Sequence, residues 1–205
     1  MVGTLPDLTM VAVKRLEGVS QGEKQFRAEV STIGTIQHVN LICLRGFYSD
    51  DDKKLLVYDY MPNGSLNSHL FGTQKNCLDW SRSYQIAIET ARGLAYLHEK
   101  CRDCIIHCDI KPENILLDDG FGDLECLLDD RLEGNADMKE VNRACRVAGW
   151  CIQDHENERP SMGQIVQILE GVLEVSVPPM PRLLQILDEN SPMMLSSSVP
   201  SQIKR

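Results

Sequence analysis

Positive charge is scarce in this chain of 205 residues, with 21 Lys and Arg against 30 Asp and Glu, a net charge of −9 and a pI near 5.0. Nucleic-acid phosphates require clustered Lys and Arg, and the only short basic end is residues 204–205, which argues against nucleic-acid binding. No apolar run approaches the ~20 residues of a membrane-spanning helix, and the first residues lack a signal-peptide layout. We therefore expect a cytoplasmic protein with no membrane span.

Paired cysteines of the kind that staple small secreted domains are also missing. The eight cysteines are scattered through apparent core segments, which favours free thiols in a reducing compartment. Cys101 and Cys104, followed by His107 and Cys108, have the spacing of a zinc knuckle. No distant second pair completes such a site, and a helix end that runs into a buried strand explains the same residues. We interpret them as structural.

The first third of the chain predicts a small, mostly antiparallel sheet with one helix. Residues 9–14 are rich in β-branched side chains and follow a turn, so they predict a strand. Residues 22–35 carry apolar positions at helical spacing. Two apolar runs, 41–47 and 54–60, are joined by a polar turn and predict an antiparallel pair.

Helical periodicity dominates the rest of the chain. A short helix is predicted over residues 66–70, a long buried helix over 80–98, and two amphipathic helices over 138–152 and 162–173. The turn-rich residues 176–205 predict a flexible tail. The fold class is therefore α+β, and no internal repeat indicates a solenoid.

The most specific segment is residues 106–118, which read IHCDIKPENILLD. This stretch places a carboxylate (Asp109), an ammonium (Lys111) and an amide (Asn114) in one tight loop. Such a trio suits orienting a hydroxyl, neutralising a phosphoryl group in transfer and holding a metal ion. The segment closely resembles the catalytic loop of the eukaryotic protein kinases.

Three further segments resemble the same family, and they occur in the order that the family has. They are residues 11–14 (VAVK), 36–41 (IQHVNL) and 55–61 (LLVYDYM). The likeness is greatest to the intracellular domain of plant receptor-like Ser/Thr kinases of the lectin S-domain type, and it covers residues 3–175. It implies a two-lobe fold, with a partial β lobe over 1–63 and a reduced, mainly helical lobe over 64–175.

The resemblance also implies an ATP site. Lys14 would contact the phosphates and pair with Glu29 on the following helix. The adenine would contact a pocket whose residues the family pattern places at Ala12, Tyr58, Asp59, Met61 and Leu116. Plain core packing is the alternative for these apolar positions, because an adenine site is itself apolar.

For catalysis, the resemblance implies that Asp109 accepts the proton of a Ser or Thr hydroxyl, that Lys111 steadies the γ-phosphate and that Asn114 holds one magnesium ion. The cofactors would be ATP and Mg²⁺, and the partner a protein substrate. Full-length relatives would be receptors of the plasma membrane.

Three departures from the family pattern stand beside this likeness. The glycine-rich phosphate loop is absent. After Phe121 the sequence continues with residues that resemble a much later part of the kinase domain. The D-F-G motif, activation segment, A-P-E motif and central helices that normally lie between are missing. Residues 119–122 (DGFG) are similar to the D-F-G motif, but they lie one strand before the position at which the family has its magnesium-binding aspartate. Arg159 lacks its A-P-E glutamate and needs another partner or water. We expect an inactive or nearly inactive chain; a non-catalytic binding module and an unstable fragment are the alternatives.

Overall fold

The computed structural model describes residues 1–16, 19–50, 53–71, 78–118, 136–182 and 185. Four antiparallel strands form one sheet near the N-terminus, in the order β1-β2-β4-β3: β1 is Val2–Thr4, β2 Met10–Leu16, β3 Leu44–Ser49 and β4 Lys54–Asp59. The central strands β2 and β4 pair over six residues each. The predicted antiparallel sheet is present, with a short first arm of three residues.

Strand β3 begins three residues later than the sequence predicts. The Leu41 N–H donates to the His38 carbonyl at 3.0 Å, which closes a turn rather than a sheet ladder. This N–H is therefore not available to the sheet, and pairing with β4 begins at Leu44. The apolar run from Leu41 therefore begins in the turn that precedes the strand.

One face of the sheet is covered by helix α1, Val19–Ile33. Phe26 on this helix is buried, and its ring meets the edge of the Phe47 ring with centroids 5.6 Å apart. Lys54 at the start of β4 donates to Glu23 of α1 at 2.8 Å. These contacts fix α1 on the face of β4 that carries Lys54, and side-chain alternation places Leu56 and Tyr58 on that same face.

In the described ranges that follow, the α-helices are α2 (Leu66–Phe71), α3 (Trp80–Glu99), α4 (Met138–Cys151) and α5 (Met162–Leu169). The apolar faces of α3, α4 and α5 pack into one core cluster, whose buried members are Tyr84, Ile88, Ala91, Val147, Ile165, Ile168 and Leu169. Ser161 accepts from the Gln164 N–H in a capping box, as its position before α5 predicts.

Helix α5 ends at Leu169, four residues before the predicted end. Gly171 adopts a φ of +74°, a left-handed conformation that other residues rarely adopt. The Val172 and Leu173 N–H groups then turn back to the Gln167 carbonyl at 2.9 and 3.0 Å. The glycine thus terminates the helix although the apolar pattern continues.

The loop after α1 rests on α3. The ring of His38 stacks against that of Tyr96 with centroids 4.6 Å apart. The backbone comes so close that a Cβ at Gly93 would lie 2.9 Å from the Asn40 carbonyl oxygen. The sheet and the helical part of the chain are therefore in direct contact through this loop.

Residues 176–182 lie within the range expected to form a flexible tail, and they run along α4. Two α4 side chains donate to backbone carbonyls here, Arg146 to Val175 at 2.7 Å and Trp150 to Ser176 at 3.1 Å. Gln153, just after α4, donates to the Pro179 carbonyl at 3.0 Å. Except for residue 185, the remainder of the expected tail lies outside the described residues.

The six cysteines in the described ranges are free thiols. No described group of three or more His, Cys, Asp or Glu side chains is arranged to hold a metal ion. Within the same ranges, no helix has the length and apolar character needed to cross a membrane.

Candidate functional site

An ion pair joins the sheet to helix α1 at the edge of the candidate site. The Lys14 ammonium on β2 donates to Glu29 Oε1 at 2.8 Å. The Gln25 side chain, one turn earlier on α1, donates to the same oxygen at 2.9 Å. The Tyr58 hydroxyl on β4 donates to the other oxygen, Oε2. The Glu29 carboxylate therefore has three donors and is well positioned by them.

These contacts determine the charge of the cluster. Burial alone would raise the pKa of Glu29, but the hydrogen bonds from Lys14 and Tyr58, together with the lysine charge, outweigh it and leave the pKa below its ordinary value. Burial and the neighbouring carboxylate raise the pKa of Tyr58. At neutral pH, Glu29 is thus ionised and Tyr58 remains a hydroxyl donor.

This arrangement predicts a contribution of Glu29 to stability at neutral pH. A lowered folded-state pKa stabilises the native chain above the unfolded value near 4.5, and that stabilisation is lost as the pH falls through the folded value. We expect Glu29→Gln to lose less stability than the unmodified chain below pH 4.5, measured by urea unfolding at several pH values. Glu113→Gln, at an exposed position, is the matched control and should lose as much unfolding free energy at acid pH as the unmodified chain. If Glu29→Gln also loses that amount, the prediction is contradicted.

The strand register gathers the residues predicted to contact a nucleotide on one face of the sheet. Ala12 pairs with Tyr58, and Lys14 pairs with Leu56. Paired residues of antiparallel strands share a face, and Tyr58 and Lys14 both reach Glu29. Ala12, Lys14 and Tyr58 therefore lie together, on the side that α1 covers in part.

Backbone hydrogen bonds hold the last residue of β4 and the turn that follows it. The Asp59 N–H donates to the Cys43 carbonyl at 3.3 Å, and the Gly64 N–H donates to the Met61 carbonyl at 3.2 Å. The Asp59 carboxylate accepts from the Arg45 guanidinium at 2.5 Å. Residues 59–61 form the hinge segment, and in it the Asp59 side chain is bound to the sheet.

Residues 64–66, just after the hinge segment, pair in antiparallel fashion with residues 115–117. Ser65 forms a β-bridge with Leu116. The Leu66 N–H donates to the Ile115 carbonyl at 2.8 Å, and the Leu117 N–H donates to the Gly64 carbonyl at 2.9 Å. Leu116 is thereby placed directly after the hinge in space, although it lies about 55 residues later in sequence.

The polar trio of the loop is assembled around one carboxylate. Lys111 Nζ lies 2.9 Å from Asp109 Oδ2. The Asn114 amide nitrogen donates to the same oxygen at 3.0 Å and to the Asp109 backbone carbonyl at 2.9 Å. The loop bends sharply before this point, since Cys108 adopts a φ of +62°. A single 3₁₀ turn over Pro112–Asn114 brings Asn114 back to Asp109.

The trio sits at the surface, and its charges reinforce one another. The hydrogen bond from Lys111, assisted by that from Asn114, lowers the pKa of Asp109 below its ordinary value. The same hydrogen bond raises the pKa of Lys111. The Asp109 side chain is 60% exposed, so it is ionised and open to a second molecule.

The described residues do not form a magnesium site on their own. Asn114 offers one amide oxygen, and Mg²⁺ is held in proteins by one or two carboxylates together with phosphates and water. The only carboxylate hydrogen-bonded to Asn114 among the described residues is that of Asp109, and Lys111 already neutralises it. The DGFG segment at 119–122 lies outside the described residues.

The structure thus brings the sequence-predicted residues into two clusters, linked through the hinge. Lys14, Glu29 and Tyr58 touch directly, and Asp109, Lys111 and Asn114 form the second cluster. Sequence reasoning missed Gln25 and Arg45. Gln25 precedes Glu29 by four residues, a helical spacing that would have identified it; Arg45 gave no such signal.

Arg159, which was expected to need a new partner, has one. Its Nε donates to the Gln153 carbonyl at 2.9 Å, across the turn between α4 and α5. A backbone carbonyl carries no formal charge, so the contact satisfies a donor without forming an ion pair.

Comparisons with known proteins agree with this architecture. A family model described as protein kinase domain matches residues 5–126. A G-type lectin S-receptor-like serine/threonine-protein kinase of Arabidopsis thaliana is 48% identical over 275 residues, covering 90% of this chain and 33% of the relative. A second kinase of that description from the same plant, SD2-2, is 40% identical over 279 residues, covering 90% of this chain and 35% of the relative. The chain spans about a third of the length of these curated relatives.

This chain lacks part of the kinase domain of its relatives. Since 90% of 205 residues is about 185, about 90 of the 275 positions in the first alignment have no counterpart in this chain. Another Arabidopsis kinase of the same description is 51% identical over 120 residues, covering 58% of this chain, about 119 residues, and 14% of the relative. That shorter match is nearly free of gaps.

A small antiparallel sheet with one helix, joined through a hinge to a helical part with an Asp-Lys-Asn loop, defines a kinase-like two-lobe fold in incomplete form. The chain belongs to the protein kinase family, and its relatives are receptor-like serine/threonine kinases of plants. Members of this family use ATP and Mg²⁺, and the family's substrates are proteins.

Proposed function

We propose that this chain is a nucleotide-binding module of the receptor-like kinase family in which phosphate transfer is lost or nearly so. The observation that carries the proposal is the cluster of Lys14, Glu29 and Tyr58, which is fully formed. A lysine on a central strand that is held by a carboxylate presents a fixed positive charge to phosphates. The lysine cluster is assembled although the family's glycine-rich phosphate loop is absent, whereas the D-F-G to A-P-E region that transfer needs is not found in the sequence.

For nucleotide binding, we assign Lys14 to the phosphates and Glu29 to the positioning of Lys14. Ala12 and Tyr58 would border the adenine ring from the sheet. The backbone of Asp59 and Met61 would contact the edge of the base, and Leu116 would pack beneath it. Support comes from the common face of Ala12, Lys14 and Tyr58 and from the bridge that pairs Leu116 with Ser65, just after the hinge.

For the transfer step, Asp109 would accept the proton of a Ser or Thr hydroxyl and Lys111 would steady the γ-phosphate. Asn114 would supply one oxygen to a magnesium ion. The exposure of Asp109 and its lowered pKa are compatible with a base that is ionised at neutral pH. A positioned base contributes about 10²- to 10⁴-fold, which leaves most of the catalysis to metal electrostatics and orientation.

We infer that the contribution of metal electrostatics and substrate orientation is missing from this chain. The about 90 alignment positions without a counterpart are consistent with a join at Phe121 that omits the D-F-G to A-P-E region. The family's second magnesium carboxylate and its substrate platform would lie there. On this account, the lobes comprise residues 1–63 and 64–175, each incomplete, and the parent protein would be a receptor at the plasma membrane.

Active Ser/Thr transfer by this chain is the second candidate, since the trio of Asp109, Lys111 and Asn114 is assembled. An unstable fragment is the third possibility, and it would bind no nucleotide. Binding and transfer therefore separate the three alternatives when they are measured on the same preparation.

The nucleotide site is tested by replacing its lysine. We expect Lys14→Met to weaken ADP binding by about tenfold or more, because a charge-assisted hydrogen bond contributes about 1.5–3 kcal/mol. Isothermal titration calorimetry of the full chain measures the affinity. Lys24→Met removes an exposed lysine from α1 and is the matched control, with unchanged affinity expected. Equal ADP affinities in Lys14→Met and Lys24→Met would refute the assignment of Lys14.

A further inference from the structure

Strand β3 contains a bulge beside the hinge. Leu44 pairs with Tyr58, but Gly46 pairs with Val57, so Arg45 is one extra residue between two consecutive pairs. Bulges bend a strand locally and redirect the side chain of the inserted residue. Here that side chain is the guanidinium of Arg45, which points to the end of the neighbouring strand.

The bulged arginine contacts the last paired residue of β4. Arg45 Nε lies 2.5 Å from Asp59 Oδ1, and the Asp59 N–H donates to the Cys43 carbonyl at 3.3 Å. Both the side chain and the backbone of Asp59 are therefore attached to the same three residues, 43–45. Beyond Asp59 the sheet ladder ends, so this double attachment is the last one before the hinge backbone leaves the sheet.

The ion pair lies on the sheet face opposite to the candidate nucleotide face. Successive side chains of a strand alternate between faces. Tyr58 reaches Glu29 on the α1 face, so the Asp59 side chain lies on the other face with Arg45. Arg45 can therefore influence a bound base only through the backbone that it holds, and not by contact.

We propose that Arg45 is a positioning residue for base recognition, which fixes the hinge backbone at residues 59–61 through its ion pair with Asp59. The inference rests on the proposed nucleotide-binding function and extends it to the selection of adenine. Backbone N–H and C=O groups discriminate between bases only when they are held in place, because a shift of the hinge changes which edge atoms of the base they meet. Lys14, which lies on the other face and serves the phosphates, is not affected by Arg45.

The experiment compares ADP and GDP binding in full-length variants by isothermal titration calorimetry. We expect Arg45→Ala to lower ADP affinity by about threefold to fivefold, the range of a well-formed surface ion pair, and to leave the weaker GDP affinity unchanged. The ratio of the two affinities should fall accordingly. Arg45→Lys keeps a charge and should recover part of the ratio.

Arg27→Ala is the matched control, since Arg27 also pairs with a carboxylate, Glu23, at 2.6 Å, but on α1 and away from the hinge. It should keep the ADP to GDP ratio of the unmodified chain. A purely structural role of Arg45 predicts equal losses for the two nucleotides, and that result would overturn the inference, as would an unchanged ADP affinity in Arg45→Ala. Absence of ADP binding by the unmodified chain is a different result, which would overturn the proposed function itself.

Discussion

If the join lies at Phe121, as we propose, insertion there of the about 90 unmatched positions of the 48% identical relative should speed transfer of the ATP γ-phosphate about a thousandfold. The insertion would restore the second metal carboxylate and the substrate platform. A bound metal ion stabilises a transition state by several kcal/mol, and about 4 kcal/mol corresponds to a factor of a thousand in rate. Transfer of radiolabelled phosphate to a generic Ser/Thr substrate measures the rates.

The same insertion in an Asp109→Asn background is the control. It keeps the added segment and removes the proposed base, so the gain in rate should largely disappear. If the inserted segment raises the rate of neither background, the missing residues are not what limits transfer. If the unmodified chain is already as fast as the chain with the insertion, the proposal that it is inactive is wrong.

The second large effect concerns the helical core. Tyr84→Ala should lower the free energy of unfolding by about 3–5 kcal/mol, the usual loss when a buried aromatic ring is removed. The ring lies in the cluster formed by α3, α4 and α5, and its hydroxyl donates to the Leu169 carbonyl at 2.7 Å while accepting from Arg143 at 3.1 Å. Since small proteins have about 5–15 kcal/mol of stability, much of the native population would be lost. Urea unfolding followed by circular dichroism gives the difference.

Tyr84→Phe separates packing from hydrogen bonding. It keeps the ring and removes only the hydroxyl, so a loss of about 1–3 kcal/mol is expected from the unpaired Leu169 carbonyl and Arg143 donor. If Tyr84→Ala unfolds no more easily than Tyr84→Phe, the three helices do not form the tight core described above. A chain without any cooperative transition would favour the unstable-fragment alternative.

Features that depend on neighbours in sequence could be predicted. The Asp-Lys-Asn trio spans six residues, and the hydrogen bonds that assemble it are local. The pairing of Lys14 with Glu29 was also predicted, because residues 11–14 resemble the kinase strand whose lysine pairs with a glutamate on the following helix. The protein kinase fold class followed from the order of these segments and is confirmed by the family match.

Features that depend on tertiary geometry were not predictable. The hydrogen bond from Tyr58 to Glu29 joins residues 29 positions apart, and nothing in either segment specifies it. The bulge that directs Arg45 toward Asp59 depends on how β3 and β4 align, which the apolar pattern does not determine. A pattern of apolar side chains indicates which face of a strand is buried. It does not indicate where a bulge shifts the pairing of two strands by one residue.

The predicted start of β3 and the predicted end of α5 were wrong for the same reason. Leu41 belongs to an apolar run, yet its N–H closes a turn with His38, so the strand starts later. The apolar pattern after α5 continues to Leu173, but the left-handed Gly171 ends the helix first. In both cases a backbone hydrogen bond or dihedral angle outweighed periodicity.

The central proposal is that the cluster of Lys14, Glu29 and Tyr58 still supports nucleotide binding, while phosphate transfer is lost or nearly so. The most direct test measures γ-phosphate transfer, to itself and to a generic substrate, by the purified unmodified chain and by Asp109→Asn, with Mg²⁺ and saturating ATP. We predict that the two proteins give the same signal, at the level of a protein-free control. Clear transfer by the unmodified chain that Asp109→Asn abolishes would contradict the account.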